Sequence, residues 1–436
     1  MLTLLTQCGL VSLGIVAPPW VVERLQPHGL ELATFPGTGR GLKTTRPRVA
    51  GDLLFSVNDC DLLIAERLVE NHPVLRAAAK AAAAAGGPLT DEQLISLYLA
   101  MEDTVPYVAA LPPQHSVLSL PAELCALLPR CYARVVAATR EYALGLHRSA
   151  CDALVAAGAP PVALDAFLWA FATVRSRSVE VDDDDGGVPT HPLVAAGGQQ
   201  RRRALFPVLD LFNHRSGARS KLARRGEVWE LTSRDKYAGG EQVFISYGGE
   251  LDNLHLLLTY GFALADNPHP LLLFGTAELL AGCAMARPEL FSPEVVELLA
   301  AQLEQAAASG ELALFAFDAA AAAPRDSLVA ALGMMAQVAG ELGGEEACND
   351  ALPRDALGQM LCARRTEVEE RLRACAAASA GQQVGGPEAG GGGDEEQAAE
   401  WVGVQSSIQL LLEAERVAID SSLEAMVERE EAEEAF

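Results

Sequence analysis

The chain has 436 residues, 50% of them hydrophobic, with 58 acidic against 33 basic side chains and a formal net charge of −25. That length allows two or three domains with real cores. The charge excludes bulk nucleic-acid binding, which needs a basic footprint, and leaves a basic protein or peptide as a possible class of partner.

Residues 1–28 form an N-terminal segment whose first 20 residues carry no charged side chain. It lacks the basic start of a signal peptide and the arginines of a transit peptide. Polar residues dilute it and Pro18-Pro19 ends it, so no membrane span is expected. Strands are expected at "GLELATF" and "GDLLFSV", within a first strand block over 29–70. Between them lies "FPGTGRGLKTT", Phe35 to Thr45. A phosphate-binding loop would need G-x-x-x-x-G-K-[ST], but the second glycine slot falls on Leu42 or Thr44. The glycines still let the backbone lie close against something.

A helical insertion is expected over 71–165. "VLRAAAKAAAAA" and "DEQLISLYLAME" carry its helical signals, with Thr90 or Asp91 as the cap of the latter, and the helical pattern runs on through "LDAFLWAFATV". A second strand block, 166–265, contains an acidic loop at 180–203. Asp182 to Asp185 lack the alternating ligand spacing of a calcium loop, and no metal is expected. Strands follow at "ALFPVLDLF", "EVWELTSRD" and "EQVFISYG", then a short helix in "LDNLHLLLTYGFAL" ending at Gly261. From 266 to 436 the chain reads as helical, with a flexible linker at 385–397 and an acidic amphipathic helix over about 400–430. Nine dispersed cysteines with no C-x-x-C pair argue against zinc. They point instead to reduced thiols in an intracellular compartment: cytoplasm or nucleus, with plastid stroma also suited.

Three stretches concentrate chemistry-bearing residues. "WAFATVRSRSV" holds Ser176 and Arg177. "PVLDLFNHRS" holds Asp210, Asn213 and His214. "AGGEQVFISYGGELDNLHLLLTYGF" holds Tyr247 and Tyr260, each followed by glycine. Singly, each has an ordinary reading: a bonded structural histidine, core tyrosines and a salt-bridging arginine. A hydrolase triad of Ser176, His214 and Asp210 lacks the G-x-S-x-G elbow that exposes a nucleophile.

Taken in order, G-x-G-x-G-L, W-A-x-x-x-x-R-S-R, D-L-x-N-H, G-E-Q-V-x-I-x-Y-G and Y-G-F resemble the SET-domain protein methyltransferases. The subgroup is that of the Rubisco large-subunit methyltransferase, and the resemblance covers about 21–270. It implies an α+β fold: a SET domain of small β-sheets with a pseudoknot, split by the helical insertion and followed by an all-α, substrate-binding-like domain. It implies S-adenosylmethionine as cofactor, lying along Thr38, Gly39, Arg40 and Gly41, with Arg40 or Lys43 toward its carboxylate. By the same resemblance Ser176, Arg177, Asn213 and His214 contact the cofactor. Asp210 and Tyr260 line the substrate channel, and Tyr247 is the catalytic residue. The implied reaction is methyl transfer to a lysine of a protein substrate, histone or non-histone, with no direct nucleic acid or membrane partner. A histidine acceptor, or a SET-fold scaffold without activity, stays open at this stage.

Overall fold

The structure is a computed structural model that describes residues 18–112, 118, 120–182, 201–306, 314–343, 351–384 and 393–434. The chain divides into two compact units, one of residues 1–112 with 149–249 and one of 113–148 with 250–436. The N-terminal segment before residue 18 lies outside the described residues.

In the first unit, β1 (Leu30–Phe35) and β2 (Gly39–Thr44) form an antiparallel hairpin pairing Leu30 with Thr44 and Phe35 with Gly39. The glycine-rich stretch is therefore a hairpin tip and its returning strand. Gly39 turns the corner at φ 64°, a left-handed conformation that glycine adopts without steric cost. The next strands are β3 (Leu53–Asn58), β4 (Leu63–Ile64), β5 (Ser178–Asp182) and β6 (Arg201–Leu205). After them come β7 (Asn213–His214), β8 (Ser220–Arg225), β9 (Val228–Ser233) and β10 (Phe244–Ile245). They build small sheets in the orders β3-β9-β8, β4-β6-β5 and β10-β7. β9 shows why such strands form: Trp229 and Leu231 alternate inward among more exposed neighbours, the period of a half-buried strand.

Two expectations need correction here. The acidic loop of 180–203 is shorter at both ends, because Glu180–Asp182 belong to β5 and Arg201–Arg203 to β6, paired antiparallel as far as Asp182 with Arg201. Val179 and Val181 carry a strand period that the neighbouring aspartates obscure; residues 183–200 lie outside the described residues. "ALFPVLDLF" is a strand only to Leu205. A 3₁₀ turn follows at Leu209–Leu211, entered through Val208 at φ 79° and ψ −36°. That conformation is a genuine outlier for a β-branched residue, and Val208 is fully packed.

The helix Asp91–Met101 starts on a capping box: the Thr90 side chain accepts the Gln93 N–H and the Gln93 side chain accepts the Thr90 N–H. It packs against the helix Leu164–Arg177, whose Phe167, Ala170, Phe171 and Val174 are buried. The unit's core gathers Leu42, Phe55, Ile64, Val181, Phe206, Phe212, Trp229 and Val243 from segments far apart in the sequence.

The second unit is mainly helical. Its helices include Asn253–Tyr260, Thr276–Ala286, Pro293–Ala306, Asp326–Gly343, Ala351–Val384 and Gly393–Glu434. Within it the structure adds a three-stranded antiparallel sheet absent from the sequence reading: β11 (Leu271–Gly275), β12 (Leu314–Asp318) and β13 (Ala323–Pro324). A short unbroken apolar run such as "LLLFG" cannot be told from buried helix by periodicity. The last helix begins at Gly393, inside the expected linker, and residues 385–392 lie outside the described residues. No helix among the described residues is long and apolar enough to cross a membrane.

Candidate active site

The segment 241–247 joins two pieces of chain that are remote from each other in sequence. On one side it meets β2: Thr44 N–H donates to the Glu241 carbonyl at 3.0 Å and Val243 N–H to the Leu42 carbonyl at 2.8 Å. On the other side β10 runs parallel to β7, pairing Phe244 with Asn213 and Ile245 with His214. A parallel ladder of two residues is weak by itself, and polar side chains reinforce it. Asn213 Nδ2 donates to the Thr38 carbonyl at 3.2 Å and to the Arg40 carbonyl at 2.9 Å, tying β7 to the hairpin tip. Thr38 Oγ1 donates to Gln242 Oε1 at 3.0 Å. Between them sits Gly41, where a Cβ would lie 2.6 Å from Asn213 Nδ2 and 2.7 Å from Gln242 Nε2. Within the protein, the close approach that a glycine permits here is that of Gly41 to Asn213 and Gln242.

His214 is 7% exposed. Its Nδ1 accepts the Tyr247 backbone N–H at 3.1 Å, so the proton of the neutral ring sits on Nε2, 3.4 Å from Ser216 Oγ. Burial pushes its pKa below the ordinary value of 6.5, which keeps it neutral. The Tyr247 ring lies 5.2 Å from that of His214, and its hydroxyl donates to the Phe212 carbonyl at 2.8 Å. With the phenolic proton committed, the oxygen can act toward a ligand only as an acceptor.

Arg177 ends the helix that holds it and donates through Nη1 to the Asp210 carbonyl at 3.1 Å and to Asp210 Oδ2 at 3.2 Å. The Tyr107 hydroxyl donates to the same Oδ2 at 3.2 Å. Asp210 and Tyr107 line one cleft with Arg40, Trp20, Leu32 and Leu211. Among the described residues the Arg40 guanidinium has no hydrogen bond or ion pair. Burial lowers its pKa, as does the neighbouring Arg177, while Asp210 acts in the opposite sense.

The structure thus brings together Thr38, Gly39, Arg40, Gly41, Arg177, Asp210, Asn213, His214 and Tyr247 in the first unit. Ser176 stays apart in its bonding: its hydroxyl donates to Thr173 one turn back in its own helix, at 3.3 Å. Lys43, named beside Arg40 as a carboxylate contact, instead pairs with Glu31 across the hairpin at 3.0 Å. Tyr260 ends the helix Asn253–Tyr260 of the second unit, its ring 6.2 Å from Phe262. Sequence reading missed Tyr107, which looks like any core aromatic of a helical insertion. It also gave no role to Gln242, although the G-E-Q-V motif contains it. Among the described residues no cluster of His, Cys, Asp or Glu could hold a metal.

No family model matches the chain. SET domain-containing protein 4 of Homo sapiens is 27% identical over 268 residues, which cover 57% of this chain and 58% of that protein. Actin-histidine N-methyltransferase of Drosophila melanogaster is 26% identical over 262 residues, covering 55% of this chain and 47% of that one. The chain thus spans a little over half the length of the human relative it matches. Among solved structures, the SET domain of LSMT bound to lysine and AdoHcy superposes with a TM-score of 0.59 at 15% identity, over 94% of this chain and 91% of that one. The chain has the SET fold and resembles SET domain-containing protein 4.

Proposed function

We propose that the protein is an S-adenosylmethionine-dependent protein-lysine N-methyltransferase. The observation that carries this reading is the Tyr247 phenol, held by its bond to the Phe212 carbonyl beside the tie between Asn213 and the hairpin tip. The LSMT structure that shares this fold holds lysine and AdoHcy, which supports both the cofactor and the acceptor.

When bound, the cofactor supplies an electrophilic sulfonium methyl group. The chain's own residues align and desolvate. Asn213 fixes the hairpin tip, so that the Gly39–Gly41 backbone presents a preset surface. Arg40 supplies a cation for a carboxylate, and Arg177 is braced by Asp210. His214 holds the Tyr247 backbone, and Phe212 holds its phenol, so the phenol oxygen is pre-aimed as an acceptor for polarised C–H or N–H groups. A lysine entering a site of low polarity loses its proton more readily, because desolvation disfavours the ammonium. The helical second unit is the element we assign to protein-substrate recognition.

Incubation with labelled S-adenosylmethionine and cell lysate, followed by mass spectrometry of the labelled protein, tests the reading. Label on a lysine side chain supports it, and no label on any protein overturns it. The likeness to an actin-histidine N-methyltransferase favours a second reading, transfer to a histidine ring nitrogen, which the same spectrum identifies.

A further inference from the structure

The cleft lined by Arg40 and Asp210 brings a guanidinium and a carboxylate together, and a second guanidinium, Arg177, bonds that carboxylate. Asp210 is committed to Arg177, which contacts both its carbonyl and Oδ2, with the Asp210 side chain only 3% exposed. Arg40 lines the same cleft with Trp20 and Leu32 beside it and has no ion pair among the described residues. A half-buried cation of this kind calls for an anion from outside. Asp210 Oδ2 accepts from a second donor besides Arg177, the Tyr107 hydroxyl.

We propose that Tyr107, supplied by the helical insertion, is a positioning residue for carboxylate recognition: it locks Asp210 onto Arg177 and so reserves Arg40 for the α-carboxylate of an amino-acid-bearing ligand. The segment bearing Tyr107 is itself pinned, because Trp169 Nε1 donates to the Pro112 carbonyl at 3.1 Å. The insertion therefore completes the cofactor cleft as well as dividing the strand blocks. Burial raises the Tyr107 pKa well above its ordinary value, so the hydroxyl remains a donor throughout the physiological range. Without that donor, Asp210 keeps a single side-chain partner and can turn toward Arg40, neutralising it internally.

The proposal rests on the methyltransferase reading and has a separate test. Calorimetric titration compares S-adenosylhomocysteine with 5′-methylthioadenosine, a related nucleoside thioether that lacks the amino-acid arm. Tyr107→Phe is expected to weaken S-adenosylhomocysteine about 10-fold, the scale of one hydrogen bond to a charged group. Binding of 5′-methylthioadenosine is expected to stay within about twofold, which also reports that the variant is folded. Arg40→Met is expected to remove most of the discrimination between the two ligands, and adding Tyr107→Phe to it should change little more. Tyr107→His, which restores a ring donor, should recover part of the discrimination. Equal weakening of both ligands by Tyr107→Phe, or an unchanged ratio in either single variant, overturns the proposal. Wild-type protein that binds neither ligand overturns the methyltransferase reading as well.

Discussion

The two units use buried polar groups differently. In the first, they reach backbone across long stretches of chain: Asn213 to Thr38 and Arg40, Tyr247 to Phe212, Arg177 to Asp210, and Arg48 to His28. The second unit adds an ionic cluster inside a large apolar core. Arg364 lies over the rings of Tyr132 and Phe274 at 5.0 and 5.3 Å, and Tyr132 donates to the buried carboxylate of Glu415. Strands of two residues cannot hold a site by ladder bonds alone, so the first unit holds its site with side chains. The second is held by packing, and its ionic cluster acts on stability. Substitutions at the site of the first unit should therefore change cofactor binding and turnover, and those in the ionic cluster of the second should change melting.

The strongest test of that contrast is Arg364→Ala. Removing the guanidinium takes its charge from buried Glu415 and from Glu367, its ion-pair partner at 3.5 Å, which is expected to cost about 3–5 kcal/mol. Chemical denaturation measures the loss; cofactor affinity of the protein that remains folded should stay within about twofold. Next, Tyr247→Phe is expected to lower kcat about 10²–10³-fold, the scale of one preorganised polar contact, with cofactor affinity changed by less than about threefold. Equal losses in both would remove the catalytic role assigned to the phenol. Gly41→Ala places a methyl against Asn213 and Gln242. Cofactor affinity, read by calorimetry, should fall about 10-fold, as expected when a hydrogen bond to a carbonyl of the cradle is displaced.

Smaller effects sharpen the picture. The folded pKa of His214 lies below the unfolded value of 6.5. Its neutral-state contribution to stability is therefore complete above pH 6.5 and is lost as pH falls through the folded value. The stability gap between wild type and His214→Asn should narrow over that range, measured by denaturant titration at stepped pH. Lys43→Ala removes a surface pair with Glu31 and is expected to cost about 0.5 kcal/mol or less. It should leave cofactor affinity within about twofold. A large loss of affinity would restore Lys43 as a ligand contact beside Arg40.

The sequence by itself determined what short range can determine. The helix Asp91–Met101 and its Thr90 cap follow from bonds within three residues, and the end of the helix Asn253–Tyr260 follows from Gly261 in the left-handed conformation. The ordered motifs brought Asn213, His214 and Tyr247 into view together. Only the tertiary structure decided how they are used: His214 as the acceptor of a backbone N–H, Lys43 as a surface partner, and Tyr107 as the second donor on Asp210. It also decided that β5 and β6 extend into the acidic stretch and that a sheet interrupts the helices of the second unit. The physical reason is sequence separation. Asn213 and Arg40 stand 173 residues apart and Tyr107 and Asp210 103 apart. Contacts of that span arise only when closing long loops is offset by burying a shared core, and no local period or cap encodes which residues then meet.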